Sequence, residues 1–511
     1  MQRYSLTHTL TTKSFLLMLA AAGCLVTTTL TTVLAGSGWK LRAVVFSAAV
    51  IPLLAWCVGS LKDLLLFFWV GSLTYNRQFF SFDRFIGAGT QGFFWVLADI
   101  FFVGLLVIWA YEATKGQNRR DSAQKAPALW PFFLPFAGAA VLSIFAAERP
   151  DWSLYELMRY VRFALILAYV RHNVGRREWW IIITALCAAM VFQSLIAVKE
   201  VVTGQSGVVG TDVSSSLEGL EEDFSMEGFY GMVRATATMN HPPNLASYLT
   251  MLIPVALALA LTLKNFQLRL MATIALLIAG AGLAATMSRL PILMTAMAVV
   301  AVLLVLSWFR EISLKQSLGI LILGVCALMI AAIPMRDKIM SRVTTDFSAS
   351  VDQRMEGLRG AMSIVMEENT FFGIGLNNTR LFVAKYLPEI SWMDETDPVL
   401  IQMNVRPLAT MGNAYSHVAV ETGLIGFLAF TLLLVGTFII GWRAFCRTTG
   451  PVRGVALGLT VGWIGILGGQ VVDHSIFVDP QLYTNAIVFA LLNLTPTLFP
   501  AQTSLQEAGQ P

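Results

Sequence analysis

Runs of about twenty apolar residues, the length a helix needs to cross hydrocarbon, recur from one end of this chain to the other. They leave little room for any other architecture. Lipid offers no hydrogen-bonding partner, so a spanning segment must satisfy its own backbone, as a helix does, or close into a barrel. Continuous runs without two-residue alternation select the helix. They fall near 14–35, 43–59, 62–75, 92–111, 130–147, 154–171, 178–201, 244–263, 268–286, 290–309, 316–334, 417–441, 454–472 and 482–499. The pair within 43–75 is short enough to be one broken element. The expected fold is an all-α polytopic integral membrane protein with twelve to fourteen transmembrane helices. Only 13% of the 511 residues are charged, against about a quarter in a soluble chain.

The charges that remain set the topology, because short cytoplasmic loops collect Lys and Arg. With the N-terminus inside, the inner loops hold Lys115, Arg119, Arg120 and Lys125, then Arg171, Arg176 and Arg177, then Lys264, Arg269, Arg310 and Lys315, and finally Arg443, Arg447 and Arg453. The short outer loops hold far fewer. This reading gives cytoplasmic tails at 1–13 and 500–511 around a membrane domain at 14–499. Two polar loops, 202–243 and the large 335–415, then share the outer face, which is the periplasm if the membrane is a bacterial inner membrane. A net charge of +4 dispersed over short loops gives no basis for nucleic-acid binding. The five cysteines are scattered and form neither a disulfide framework nor a metal-type pair. Ala21-Ala-Gly-Cys24 faintly matches a lipoprotein cleavage site, but the apolar run continues past it, so an uncleaved first helix is expected. There is no nucleotide motif, and no cofactor is implied.

Chemistry is expected at the outer face. Arg234 precedes the span at 244, Arg289 sits at a tight turn between spans, and Arg354 lies on the large loop. A guanidinium presents forked donors that match phosphate oxygens, so three on one face could hold a diphosphate; each could equally anchor a helix end. The apolar residues Met355, Leu358, Met362, Ile364 and Val365 around Arg354 suggest an amphipathic helix on the membrane surface. Inside the span 154–171, Glu156, Arg159 and Arg162 share a helical face. Buried charges are expensive, so they either pair with each other or contact an anionic head group. His417 at a helix entrance could be a general base or a packed polar group. For His241, next to Pro242 and Pro243, a structural role is expected. Asp473, His474 and Asp479 resemble a metal site only weakly, and no metal is assigned.

Four motifs then occur in order: Arg234 to Asn244-Leu-Ala, Thr286-Met-Ser-Arg289, Arg354 leading to Gly373-Ile-Gly375, and Asn413-Ala-Tyr415 leading to Glu421-Thr-Gly-Leu-Ile-Gly426. Together they resemble the O-antigen ligase and polymerase superfamily over about 230–440. The resemblance implies a metal-independent, GT-C-like glycosyltransferase. Such an enzyme moves a glycan from undecaprenyl diphosphate to a sugar hydroxyl at the periplasmic face. It makes Arg234 and Arg289 the diphosphate-binding arginines, with Arg354, Asn413 and Tyr415 in substrate contact. Where the family carries histidine ahead of Asn-x-Tyr, this chain has Gly412, and His417 lies five residues later. Either His417 takes over, or a carboxylate such as Glu389 or Asp394 does, or the acceptor differs or activity is absent.

The expected function is therefore transfer of a lipid-linked saccharide, either ligation to lipid A-core in lipopolysaccharide synthesis or polymerisation of O-antigen or exopolysaccharide repeats. The partners are the lipid-linked donor, a glycan or lipid A-core acceptor, membrane lipid and other polysaccharide assembly proteins. The competing readings are a flippase for the same lipids and a catalytically silent scaffold of an assembly complex. A flippase should carry inverted repeats with broken mid-membrane helices, and neither is visible in the sequence.

Overall fold

The structure is a computed structural model that describes residues 60–75, 78–80, 94–115, 129–203, 234–239, 241–319, 322, 347–386 and 413–501. The described chain runs α1 (Leu61–Ser72), β1 (Gln78–Phe80), β2 (Phe94–Val96), α2 (Leu97–Thr114), α3 (Trp130–Ser143), α4 (Pro150–Asn173) and α5 (Arg176–Thr203). It continues through α6 (Pro242–Thr262), α7 (Phe266–Ala285), α8 (Arg289–Trp308), α9 (Phe347–Glu367), α10 (Thr379–Tyr386), α11 (Ala414–Cys446), α12 (Gly450–Gly469) and α13 (Asp479–Leu498). The expected all-α multi-pass architecture is what forms, joined among the described residues by one short antiparallel pair of strands with Phe79 in register with Trp95. Each expected span from 62–75 through 290–309, and each from 417 onward, falls on a described helix, except that the start of 92–111 forms β2 at 94–96 and becomes helical from Leu97. The spans at 14–35 and 43–59, and nearly all of 316–334, lie outside the described residues. Seven of the described helices are long and apolar enough to cross a membrane. Among the others, α4 carries charge and α1 is only 12 residues long.

Helices α6, α12 and α13 form the centre. Every residue of α6 from Asn244 to Leu259 is buried, as is α13 from Asp479 to Thr495. The close packing of α6 on α12 follows from a glycine stripe. A methyl group at Gly458 would meet Val255 Cα at 2.6 Å, and one at Gly462 would meet the Met251 carbonyl oxygen at 2.2 Å. In lipid such stripes let backbones touch, replacing a hydrophobic driving force that is weak there. The periphery has the opposite character. Leu424, Ile425, Leu428, Leu432 and Val435 on α11, and Leu293, Met297 and Leu304 on α8, are apolar and exposed. That is the face a spanning bundle turns to hydrocarbon.

One local expectation needs correction. Helix α9 forms where an amphipathic helix was expected, but Ile364 does not belong to its exposed side. Ile364 is fully buried and packs with Ala361, Ile374, Phe382 and Val420. The glycines at 357 and 360 share that buried side, while Met355, Met362 and Met366 point away from it and are exposed. The helix has two apolar faces because one of them holds the loop that follows.

Candidate active site

The site is built around a break in α11. At Gly423 the backbone takes φ 66°, ψ −170°, a region essentially restricted to glycine. Breaking a helix strands backbone donors and acceptors that must be paired again if they are buried. Here the chain at 370–375 supplies the partners. Ile374 and Gly375 N–H groups donate to the carbonyls of Val420 and Glu421, each at 3.0 Å, and Leu424 and Ile425 N–H groups donate to Thr370 and Phe371 carbonyls. The fit leaves no room for side chains. A methyl group at Gly373 would lie 2.5 Å from the Glu421 carbonyl carbon, and one at Gly423 would lie 2.3 Å from the Phe371 oxygen. Gly-Ile-Gly and Glu-Thr-Gly are thus two halves of one clasp.

Asn378 fastens the clasp to α4. Its Oδ1 accepts from Arg149 N–H at 2.8 Å, while its Nδ2 donates to Ser153 Oγ at 3.0 Å and to the Leu376 carbonyl at 2.8 Å. Ser153 Oγ donates to the same Leu376 carbonyl at 2.7 Å. The clasp also holds the Glu421 side chain. Glu421 Oε1 accepts from Asn377 N–H at 2.8 Å and from Thr379 Oγ1 at 3.1 Å.

The second oxygen of Glu421 faces a histidine. His417, one turn earlier on α11, brings Nε2 to 3.4 Å from Glu421 Oε2. Its Nδ1 is buried without a hydrogen-bond partner among the described residues. The ring packs against Phe477 at 5.8 Å and lies 6.5 Å from the His474 ring. Glu156 and Arg159 of α4 act electrostatically on both His417 and Glu421.

Behind this pair runs a ladder of buried charge. Arg159 donates to Glu156, to the Phe477 carbonyl, and from Nε to Asp479 Oδ1 at 2.6 Å. Arg162 reaches Tyr483 Oη at 3.1 Å and lies 3.4 Å from Asp99 Oδ2. Asp99 in turn accepts from Val96 N–H at 2.8 Å, closing the start of α2. The three charges on one face of α4 therefore pair with one another and with α13 and α2, the pairing reading of their sequence pattern.

The other arginines gather at a different corner. Arg234 donates from Nε to the Thr286 carbonyl at 3.3 Å and from Nη2 to Ser288 Oγ at 3.2 Å. It therefore rests on the turn that ends at Arg289, the exposed first residue of α8. Residues 55 positions apart in sequence thus meet at one turn, and these two bonds are also those of an arginine that anchors a helix end. Glu200 on α5 braces the approach, its Oε2 accepting from Thr236 N–H at 2.8 Å and Ala237 N–H at 3.0 Å. Arg234, Asp473 and His474 all act electrostatically on His241, so the arginine corner adjoins the loop carrying His474, which stands beside His417.

Asn413 and Tyr415 have local duties. Asn413 caps α11, its Oδ1 accepting from Ser416 N–H at 2.8 Å, and Tyr415 Oη donates to the Leu467 carbonyl at 2.8 Å. Arg354 lies on α9, before the clasp in sequence. Gly412, Glu389 and Asp394 lie outside the described residues. Sequence reasoning noted Glu421 only as part of a motif and passed over Asn378 and Glu200. The signal for Glu421 was present: four residues separate it from His417, which on a helix puts both on one face.

Residues 274–431 match the family model described as O-antigen ligase, so the resemblance carried by the sequence motifs holds for the stretch that contains Arg289, Arg354, the clasp and His417. Arg234, Arg159 and His474 lie outside the match. No curated protein matches the chain.

Proposed function

We propose that this chain, which carries an O-antigen-ligase-type domain, transfers a saccharide from a membrane-anchored diphosphate, of the undecaprenyl class, to a sugar hydroxyl at the periplasmic face. The observation that carries the reading is the His417–Glu421 pair. With Nε2–H turned to the Glu421 carboxylate, the imidazole keeps its lone pair on Nδ1, the buried nitrogen that lacks a partner among the described residues. That tautomer is the one a general base needs, and a carboxylate behind the ring both orients it and stabilises the charge it gains.

In this mechanism the acceptor oxygen attacks the anomeric carbon as the carbon–oxygen bond to the diphosphate breaks. Configuration inverts, and the acceptor proton passes to His417. Negative charge grows on the leaving diphosphate, where Arg234 and Arg289, sharing the turn at 286–289, stabilise it. Fixed cationic donors aimed at developing charge contribute most at that step. Arg354, on α9 ahead of the clasp, contributes a further cationic contact. Arg159 and Arg162 hold Glu156, Asp479 and Tyr483 behind the His417–Glu421 pair. Asn413 and Tyr415 fix the entrance of α11 beside it. The residues described supply acid–base and electrostatic catalysis on this account.

The test compares lipid-linked with finished surface glycan in a deletion strain complemented by wild type, His417→Ala or Arg289→Ala. Each variant should accumulate at normal level yet lose transfer by about 10²–10⁴-fold, leaving glycan on the lipid. Unchanged finished glycan in both variants overturns the reading in favour of a scaffold. Long chains stranded on the lipid mark a ligase, and single repeat units mark a polymerase.

A further inference from the structure

The exposed apolar stripe on α9 and the turn after it has no role in the chemistry above. Met355, Met362, Met366, Phe371 and Phe372 are between 41% and 72% exposed. At about 100° per residue the three methionines fall within about 40° of one another around the helix. They point opposite to Ala361 and Ile364, which pack on the clasp. Arg359, also exposed, borders them about 40° from Met355, and the exposed Glu367 lies about 120° away.

We propose that this stripe is a membrane-contact surface, seated in the boundary between head groups and acyl chains of the leaflet on the His417 side. Continuity argues for lipid as its occupant. Leu424 and Ile425 N–H groups donate to the Thr370 and Phe371 carbonyls. Phe371 and Phe372 therefore join the top of the exposed apolar face that α11 continues through Leu428, Leu432 and Val435. A protein covering the methionines would have to extend over hydrocarbon to cover that face as well. The composition fits the same occupant: methionine is unbranched and adaptable, and an apolar stripe with a charged flank is how interfacial helices lie in the head-group plane.

The consequence reaches the site. The turn at 368–370 connects the stripe directly to the clasp, and the clasp holds the Glu421 carboxylate. The depth of α9 in the leaflet thereby sets the height of Glu421 and His417 above the acyl chains. A lipid-anchored diphosphate presents its head group at that level.

Spin labels in the full-length, cysteine-free chain in lipid nanodiscs test the proposal. Labels introduced by Met362→Cys and Met366→Cys should show an oxygen-to-nickel accessibility ratio several-fold above that of the water-facing Lys385→Cys, and close to that of Leu428→Cys. Ratios equal to the Lys385→Cys value would place the stripe in water. Protection from both reagents would mean that another segment or a second protein covers it. Either result overturns the proposal. Phe372→Cys reports the same surface if a methionine variant does not fold. None of these readouts depends on transfer activity, so the proposal can fail while the catalytic reading stands, or the reverse.

Discussion

Two neighbouring groups of polar atoms meet at Glu421 and are treated in opposite ways. On one side, the backbone freed by the break at Gly423 is paired rung by rung with 370–375, and Asn378 is satisfied on both ends of its amide. On the other side, one turn away, His417 Nδ1 is buried with no hydrogen-bond partner among the described residues. An unmade hydrogen bond in a dry site costs about 1–3 kcal/mol, a cost that an acceptor hydroxyl bound at His417 Nδ1 would relieve. The difference separates what holds the site from what is poised to act in it. Glu421 belongs to both, with one oxygen in each group.

The sharpest way to break the comparison is to remove the clasp. Gly423→Val should cost about 4 kcal/mol or more. The substituted residue must leave a glycine-only conformation, worth about 1–3 kcal/mol, and the rungs on either side are worth about 0.5–1.5 kcal/mol each. The expected result in detergent is loss of the monodisperse peak or a melting temperature lowered by well over about 5 °C. A melting curve like wild type would mean that the pairing across Gly423 contributes nothing to the fold.

Glu421→Gln sharpens the comparison rather than breaking it. The new side chain can keep its oxygen toward Asn377 N–H and Thr379 Oγ1, so stability should fall by only about 1 kcal/mol. Its amide nitrogen then meets His417 Nε2 as a donor, which favours the opposite tautomer and takes the lone pair away from Nδ1. Transfer should drop about 10²-fold or more. Because both residues serve one step, the double variant with His417→Ala should lose little beyond His417→Ala alone. Fully additive losses would separate the two residues and remove Glu421 from the orienting role.

The chain displayed some of this openly and concealed the rest. Apolar run length located the helices, since lipid imposes one solution on the backbone, and the order of the arginine and glycine motifs pointed to the family. The pairing partners were not legible. Nothing in sequence spacing says that Gly373 lies against Glu421, because a break repaired by a distant loop leaves no periodic trace. Arg159 and Arg162 illustrate the same limit. Their i, i+3 arrangement revealed that they share a face with Glu156, but Asp479 and Asp99 come from helices hundreds or tens of residues away. The apolar residues of α9 suggest a single membrane-facing surface, but the helix has two apolar faces, with Ile364 on the buried one, and one window of sequence cannot rank them.

The smallest effect is expected where polar contacts in the same loop face water. Lys385 Nζ lies 2.6 Å from Glu368 Oε1, and Tyr386 Oη donates to the same oxygen at 2.7 Å. Hydrogen bonds from Lys385 and Tyr386 hold the Glu368 carboxyl below its usual value, and the bond to Glu368 raises the Lys385 ammonium above its own. A lowered carboxyl adds stability above its unfolded pKa and loses it as pH falls through the folded one. A raised ammonium adds stability below its unfolded pKa and loses it as pH rises through the folded one. The pair therefore acts between the ordinary carboxylate and lysine ranges, about pH 4 to 10, and salt screens it. Exposed pairs of this kind contribute little, so Lys385→Ala should leave transfer intact and shift melting barely, if at all, at neutral pH. Any small shift should vanish at high salt and below about pH 4. A large loss of transfer in Lys385→Ala would show that the outer surface of the loop belongs to the active group after all, and the division at Glu421 would have to be redrawn.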